Sequence, residues 1–461
     1  MSRVCTSAVC KIETNRLETN CSTNFSITHS RISGSDRSAY VRLSRRAKAG
    51  RRARAGLATL GAAGCTAAVM AMVSPQAMAD TPAPVTACPD LVVLGVQGTG
   101  ESSPTADPLA ITGMIGHVFG PLLARDPSVG HVTIPYAAGF GGAPGTGPSN
   151  LPFATSATEA GERLDATASD IVVRCPGTRL ALVGFSQGGG VVSEEARRIG
   201  AGDSSVSADR VGGVAIISDW TRPNGGEQIP GRPGQVSPDP PPGADNNESS
   251  PVAFAPVPFS GGIAPDAGDF GALTGRVAEF CTAGDLSCDA PAHAEVLRAA
   301  GGVAARANLS DPLTAAQSLT SVAASAVSET TAAVVLDDVY VANGQVSYSP
   351  SQPISTRLAD AADPRQAPPT PDQQQAASEG ISQAAAAIVA DPLGQIPRLA
   401  GQISAAINDN LAANADLADP AAIARYAGVV GSHTSYAANG VTRQVADWFA
   451  DMSRDLQEQG R

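Results

Sequence analysis

The feature that most constrains the fold is an apolar run, residues 180–184, that leads directly into a Gly-x-Ser-x-Gly motif at residues 184–188. An apolar strand followed by this motif is typical of a nucleophile elbow, in which a cramped turn between a strand and a helix presents the serine hydroxyl. Residues 190–198 can form the helix, whose N-terminal amides would face developing negative charge. The pattern therefore predicts Ser186 as a nucleophile, with an ordinary strand-to-helix loop as the alternative.

The remaining strand and helix signals predict the fold class. Short, apolar, β-branched segments fit strands at residues 91–96, 132–136, 179–184 and 211–218. A helix from about Ser156 separates the second and third strands, and residues 276–280 return the chain to the core. Because strands alternate with helices, the sequence predicts an α/β fold with a central, mainly parallel sheet covered on both faces.

The first 79 residues do not resemble this core and predict export. A basic stretch, Arg42 to Arg54, precedes an apolar stretch, Leu57 to Val73, and Ala77-Met78-Ala79 forms an A-x-A cleavage site. The segment before this signal is polar, and Val41 is a plausible true start. We expect a secreted or cell-envelope protein.

Charge excludes one class of partner. Residues 80–461 contain 19 arginines, no lysine and 40 acidic residues, which gives a formal net charge of −21. Nucleic-acid binding requires basic surfaces that neutralise phosphates, so we expect no nucleic-acid partner. The acidic surface favours solubility outside the cytoplasm.

Four cysteines lie beyond the predicted signal, and four cysteines allow three pairings. Cys281 and Cys288 enclose a short loop and form the natural local pair, which leaves Cys88 to pair with Cys175. Their spacing does not resemble a zinc site. No metal or other cofactor is expected.

A serine nucleophile needs a base, and the base needs a carboxylate that orients it. In α/β-hydrolases these residues follow the serine in the order acid, then histidine. Asp285 lies between Cys281 and Cys288, in a loop that a disulfide would hold rigidly. Two histidines follow it, His293 and His433, and both are candidates for the base.

The oxyanion of an acyl-transfer intermediate needs two hydrogen-bond donors. One candidate is the amide of Gln187, which follows the nucleophile, and the other is Thr99, in a glycine-rich loop after the first strand. A phosphate-binding loop is the alternative for Gly98-Thr99-Gly100. That loop lacks the lysine of a P-loop and the full dinucleotide fingerprint.

Four motifs together resemble those of the cutinase family: Gly98-Thr99-Gly100-Glu101, Gly184-Phe185-Ser186-Gln187-Gly188, Cys281-x-x-x-Asp285-x-x-Cys288 and His433-x-x-Tyr436. They occur in the family's order and are similar, more narrowly, to its esterases from mycolic-acid-bearing actinobacteria. The resemblance implies a three-layer α/β-hydrolase with an exposed active site that cleaves fatty-acid esters. Some members of this group act on phospholipids or acyl thioesters.

The resemblance also implies roles by motif position: Ser186 as nucleophile, Asp285 as acid, His433 as base, and Thr99 with Gln187 as the oxyanion hole. The chain departs from the family pattern in one respect. The histidine of typical cutinases follows the aspartate by a dozen or so residues, whereas His433 follows Asp285 by 148. The intervening segment therefore resembles an insertion, and His293 stays open as an alternative base because its spacing is closer.

The predicted insertion, residues 291–428, is Ala- and Gln-rich. Asp-Pro pairs, with Asp as N-cap and Pro in the first turn, predict helix starts at Asp311, Asp391 and Asp419. An Asn-Gly turn predicts a hairpin at 339–348, and residues 351–375 form a Pro/Gln linker.

Two apolar stripes at helical spacing complete the pattern. The first, Leu399, Ile403, Ile407 and Leu411, predicts a helix that packs beside the catalytic cleft and shapes access for long acyl chains; a surface appendage docked elsewhere is the alternative. The second predicts a C-terminal helix that returns to the core, with apolar residues Val441, Val445, Trp448, Phe449, Met452 and Leu456.

These patterns divide the chain into an export region (1–79), a first part of the hydrolase core (80–290), the insertion (291–428) and a C-terminal part of the core (429–461). They predict a monomeric, exported serine esterase that acts on acyl-ester or lipid substrates without a cofactor and can associate with envelope lipid. An acyltransferase with the same triad and a non-catalytic envelope binding or scaffold protein are the alternatives.

Overall fold

A computed structural model describes residues 87–244 and 252–459, so the predicted export signal lies outside the described residues. Five parallel strands form the central sheet in the order β2-β1-β3-β4-β5. They are β1 (Leu91–Val96), β2 (Gly130–Thr133), β3 (Arg179–Phe185), β4 (Val211–Ile217) and β5 (Val277–Phe280). The α/β fold with a parallel sheet is therefore confirmed.

Helices cover both faces of this sheet: α1 (Gly113–Arg125), α2 (Phe153–Arg174), α3 (Gln187–Ala201) and α11 (Val441–Gln459). Successive strand residues point to opposite faces, so β1 contributes to two separate apolar clusters. Leu91 and Val93 pack with α1 and α11, whereas Val92 and Leu94 pack with α2 and α3. The molecule has the three-layer arrangement of an α/β-hydrolase.

The C-terminal helix α11 packs on the core as its apolar stripe predicts. Phe449 is fully buried, and Trp448 and Met452 lie against the sheet where β4 carries Gly212 and Gly213. A Cβ atom at Gly213 would lie 2.6 Å from both Met452 Cε and the Trp448 ring, so the glycine permits close packing of the helix.

Both expected disulfides form. Cys88 and Cys175 link the residues before β1 to the end of α2, with Cα atoms 5.3 Å apart. Cys281 and Cys288 close the loop after β5, with Cα atoms 5.9 Å apart.

Residues 291–428 are mainly helical. Their elements are α4 (Glu295–Arg306), α5 (Pro312–Asp337), the hairpin β6 (Val339–Ala342) and β7 (Gln345–Tyr348), α6 (Ile354–Ala362), α7 (Pro371–Ala390), α8 (Pro392–Ala412) and α9 (Pro420–Ala424). A short helix, α10 (Val429–Thr434), then precedes α11. The three Asp-Pro helix starts are confirmed, because Asp311, Asp391 and Asp419 each accept a hydrogen bond from a first-turn amide.

Two expectations for this segment are wrong. The region expected to be a linker contains α6, which buries Ala359 and Ala362 and pairs Arg357 with the buried Asp338. The apolar stripe of α8 does not pack beside the cleft, since Ile403, Ile407 and Leu411 are 49%, 55% and 65% exposed.

Polar contacts explain the orientation of α8. Gln395 accepts a hydrogen bond from the amide of Val346, and Gln402 accepts one from the amide of Tyr348. The helix therefore lies on the hairpin strand β7 through its glutamines. An apolar stripe in the sequence could not reveal this preference.

The packing of α11 predicts a large loss of stability for Phe449→Ala. Removing a fully buried aromatic side chain typically costs about 3–5 kcal/mol, because it loses apolar burial and leaves a cavity. Urea denaturation should show a lower free energy of unfolding by about that amount. Val173→Ala is the control, since Val173 is 75% exposed and should change stability by no more than about 0.5 kcal/mol. Equal effects of the two substitutions would contradict this packing.

Candidate active site

Ser186 lies at a strained turn between β3 and α3. Its φ and ψ angles are 55° and −116°, outside the regions that non-glycine residues ordinarily adopt. A Cβ at Gly184 would lie 2.1 Å from the carbonyl oxygen of Gly188, and a Cβ at Gly188 would lie 2.2 Å from that of Val96. The two glycines of the motif are therefore sterically required, and the turn has the geometry of a nucleophile elbow.

The structure brings Ser186, His433 and Asp285 together in a chain of hydrogen bonds. His433 Nε2 lies 2.8 Å from Ser186 Oγ, and His433 Nδ1 lies 2.8 Å from Asp285 Oδ1. Asp285 is fully buried, whereas His433 is 26% exposed. This arrangement can carry the proton of a serine hydroxyl to an imidazole that a carboxylate orients.

His433 lies in α10, the short helix that precedes α11. The amide of Ser432 bonds to the carbonyl of Gly428, which closes a helical turn immediately before the histidine. The histidine also stacks near Phe185, whose ring centroid is 5.2 Å away.

His293, the alternative base, lies elsewhere. Its side chain is 64% exposed and its ring Nδ1 lies 3.6 Å from Asp416. Its backbone amide donates to the Asp416 carboxylate over 2.8 Å. The residue thus lies just ahead of α4 and joins it to the chain that returns from α8.

The Asp285 carboxylate accepts several hydrogen bonds. The hydroxyl of Tyr436 donates to Oδ2 over 2.6 Å, and the amide of Ser287 donates to Oδ1 over 3.1 Å. Burial alone would raise the pKa of Asp285, but hydrogen bonds and charge attraction from His433, together with the Tyr436 hydroxyl, outweigh burial and lower it. The lowered pKa favours the ionised form of the Asp285 carboxylate beside the imidazole at neutral pH.

Sequence reasoning assigned no role to Tyr436 or Ser218. Tyr436 holds Asp285 and accepts a hydrogen bond from the amide of Thr282, and its only signal was the spacing His433-x-x-Tyr436. Ser218 Oγ lies 3.2 Å from His433 Nδ1, at a backbone φ of 62°. No local pattern marks Ser218, because only the fold brings the end of β4 to α10.

The two expected oxyanion donors are Gln187, which directly follows Ser186 in the elbow, and Thr99, in the loop after β1. Gln187 is the first residue of α3, where backbone amides have no partner within the helix. Its buried side chain donates to the carbonyls of Gly139 and Phe153. Thr99 lines the same pocket as Ser186 and His433.

Glu101 fixes the loop that carries Thr99. Its carboxylate accepts from the amide of Gly98 over 3.1 Å and from that of Met114 over 3.2 Å, so it ties the loop to the start of α1. Burial raises the pKa of Glu101, although these amides oppose the shift.

Contacts at both ends of the predicted insertion lie close to Asp285 and His433, which are 148 residues apart in the sequence. At the N-terminal end of the insertion, where α4 begins, the amide of Val296 donates a hydrogen bond to the Asn414 side chain over 2.8 Å. At the returning end, Arg425 pairs with the buried Asp289 over 2.7 Å, and the Tyr426 hydroxyl donates to the Asp289 carbonyl. Because Asp289 also accepts from the amide of Gly284, the returning chain is anchored on the loop that carries the acid.

Within residues 87–244 and 252–459, no group of three or more His, Cys, Asp or Glu side chains is placed to hold a metal ion. The pocket beside Ser186 has a volume of about 400 Å³.

The sequence of this chain is similar to those of proteins from the cutinase family. The model of the cutinase family matches residues 87–299. The Carboxylesterase Culp6 homolog of Corynebacterium glutamicum is 30% identical over 221 residues, which cover 45% of this chain and 67% of that protein.

Similar solved structures include the catalytic core domain of acetyl xylan esterase from Trichoderma reesei, at 17% identity and a TM-score of 0.32, covering 51% of this chain and 99% of that one. A cutinase-like protein from Cryptococcus sp. matches at 17% identity and a TM-score of 0.29, covering 44% and 81% of the two chains.

The molecule is an α/β-hydrolase and a carboxylic-ester hydrolase. It belongs to the cutinase family.

Tyr436→Phe should destabilise the protein in a pH-dependent way. The variant lacks a donor to Asp285, so the pKa of Asp285 should rise. A carboxyl whose pKa is lower in the folded state stabilises the protein above its unfolded pKa of about 3.9 and loses this effect as the pH falls through its folded pKa. The loss in free energy of unfolding, about 1–3 kcal/mol, should therefore be largest near pH 7 and shrink below about pH 4.

Tyr426→Phe is the matched control for this experiment. Its hydroxyl donates to a backbone carbonyl, which does not titrate, so its cost should not change with pH in this range. Urea denaturation of the wild type and both variants at pH 7 and pH 3.5 makes the comparison. If Tyr436→Phe lowers the free energy of unfolding by the same amount at pH 7 and pH 3.5, as the control should, the coupling to Asp285 is contradicted.

Proposed function

We propose that this protein is an exported serine esterase that hydrolyses acyl esters through a covalent intermediate on Ser186. The observation that supports this proposal best is the hydrogen-bonded chain from Asp285 through His433 to Ser186, with both links at 2.8 Å. The strained elbow and the family's ester-hydrolase activity agree with it.

In the proposed first half-reaction, His433 Nε2 takes the proton of Ser186 Oγ while Oγ bonds to the ester carbonyl carbon. The negative charge moves to the carbonyl oxygen, where the amides of Thr99 and Gln187 donate hydrogen bonds. The carbon–oxygen bond to the alcohol then breaks, and the alcohol leaves with the proton from His433.

In the second half-reaction, water replaces the alcohol. His433 takes a proton from the water as it attacks the acyl carbon, and returns the proton to Ser186 when the carboxylic acid leaves. Asp285 stays ionised throughout, and its charge stabilises the imidazolium in each step. Tyr436 and Ser218 hold the aspartate and the histidine in position.

Two features support acyl esters as substrates and export as the destination. The pocket beside Ser186 is lined mainly by apolar side chains, among them Phe140, Phe153 and Trp220, which suit a hydrocarbon chain. Two disulfides within the described residues are typical of proteins from oxidising compartments, in agreement with the predicted signal in residues 1–79.

Substitution of the triad tests the proposal. Ser186→Ala and His433→Ala should each lower kcat on p-nitrophenyl butyrate by roughly 10⁴-fold or more, because triad residues act as a unit. A fluorophosphonate probe should label the wild type but not Ser186→Ala, and circular dichroism should show that both variants are folded.

His293→Ala is the control, because His293 is the other histidine after Asp285 and lies apart from Ser186. It should keep wild-type kcat. Full activity of His433→Ala together with loss of activity in His293→Ala would overturn the assignment of the base.

A further inference from the structure

One wall of the pocket at Ser186 is built by residues outside the part of the chain that the cutinase family model matches. The family match ends at residue 299. We call this surface the α4 wall; it consists of Gly301, Gly302, Ala304, Ala305, Asp363 and Pro364. The hydrolase core supplies other lining residues, among them the apolar Phe140, Phe153, Trp220 and Ile263.

We propose that the α4 wall completes a binding site for the acyl chain of the substrate, and that Gly301 and Ala305 set the length of chain it accepts. This inference rests on the proposed function, since it assigns one part of the substrate to a pocket beside the nucleophile.

The charges at the pocket are already neutralised, which favours a hydrocarbon ligand over a charged headgroup. Arg298 donates to the carbonyls of Pro291 and Ala292 and pairs with Glu295 over 3.0 Å. Asp363 is buried and pairs with Arg365 over 2.6 Å. An anionic or cationic ligand would have to displace these partners.

The wall is held firmly to the core. A Cβ at Gly302 would lie 2.6 Å from the carbonyl oxygen of Ala362, so α4 and α6 pack at the closest distance that glycine permits. Arg365 donates to the carbonyl of Pro265, and its guanidinium lies 5.5 Å from the centre of the Trp220 ring. The 363–365 turn is thereby fixed against a pocket residue of the hydrolase core.

Small side chains on α4 give the pocket its width. Gly301 and Ala305 are four residues apart and therefore lie on the same face of the helix. A Cβ at Gly301 would lie 3.3 Å from Cγ1 of Ile263, another residue that lines the pocket, so α4 already approaches Ile263 closely. A larger side chain at Gly301 would have to displace Ile263 or extend into the pocket. With both residues small, a cavity of about 400 Å³ remains open beside Ser186.

The acyl chain suits this pocket better than the alcohol for a chemical reason. The acyl group stays bonded to Ser186 Oγ through both half-reactions, whereas the alcohol leaves after the first. A pocket that opens beside Ser186 can hold the acyl chain until water attacks.

The test compares acyl-chain selectivity in Ala305→Leu and Gly301→Val with that in a control, Ala300→Leu. Ala300 is exposed on the same helix and does not line the pocket. The readout is the ratio of kcat/KM for p-nitrophenyl laurate to kcat/KM for p-nitrophenyl acetate. We expect this ratio to fall at least tenfold in the two pocket variants and to stay within twofold of the wild type in the control.

Gly301→Ala adds a smaller side chain than Gly301→Val and should lower the laurate-to-acetate ratio by less. It replaces the valine variant in the test if that variant does not fold. Fluorophosphonate labelling of Ser186 reports whether the triad is assembled in each protein. If the variants are labelled but keep the wild-type ratio, the role of the α4 wall is overturned while the proposed function stands. Absence of labelling in the wild type would instead overturn the proposed function.

A second series holds the acyl group as acetyl and lengthens the alcohol from ethyl to dodecyl. We expect the pocket variants to keep an alcohol selectivity within twofold of the wild type. A tenfold loss for long alcohols, with unchanged acyl selectivity, would show that the pocket holds the alcohol and would overturn the acyl assignment.

Discussion

The proposed chemistry depends on the hydrogen bond between His433 and the buried carboxylate of Asp285. Burying a carboxylate away from water costs free energy unless hydrogen-bond donors surround it. Here the donors are the imidazole, the Tyr436 hydroxyl and the Ser287 amide, and they hold the pKa of Asp285 below its usual value. The same contacts orient the imidazole toward Ser186, so the stability of the ionised acid and the alignment of the base have one physical origin.

This hydrogen bond joins residues 148 positions apart, and the intervening helices are compatible with it because both of their ends are fixed near the acid loop. Asn414 binds the start of α4, and Arg425 and Tyr426 bind Asp289. The entropic cost of closing a loop rises only slowly with the length of the loop, so the large number of residues between these fixed ends adds little to that cost. The division of the chain at residues 290 and 428 stays a prediction, but these contacts explain how a large segment can lie between Asp285 and His433.

The sequence predicted the sheet, the elbow and the disulfides because each has a local signal: apolar runs, Gly-x-Ser-x-Gly, and cysteines in a short loop. It also ranked His433 above His293, on the His433-x-x-Tyr436 motif of the family resemblance and on the amphipathic helix that follows it. Ser218 was missed since its place depends on tertiary contacts alone. The apolar stripe of α8 was misleading for a related reason, because hydrogen bonds that Gln395 and Gln402 accept from amides of the hairpin decide which face of the helix is covered. The part of the α4 wall that lies on α4 itself consists of glycine and alanine. Such small residues give no periodic hydrophobic signal in the sequence.

The most direct test of the central claim is a crystal structure of the enzyme after reaction with a long-chain alkyl fluorophosphonate. We expect a bond between phosphorus and Ser186 Oγ, with the phosphoryl oxygen about 2.7–3.1 Å from the amides of Thr99 and Gln187. His433 should remain hydrogen-bonded to Asp285. Phosphorus bonded to another residue, or His433 turned away from both Ser186 and Asp285, would contradict the account.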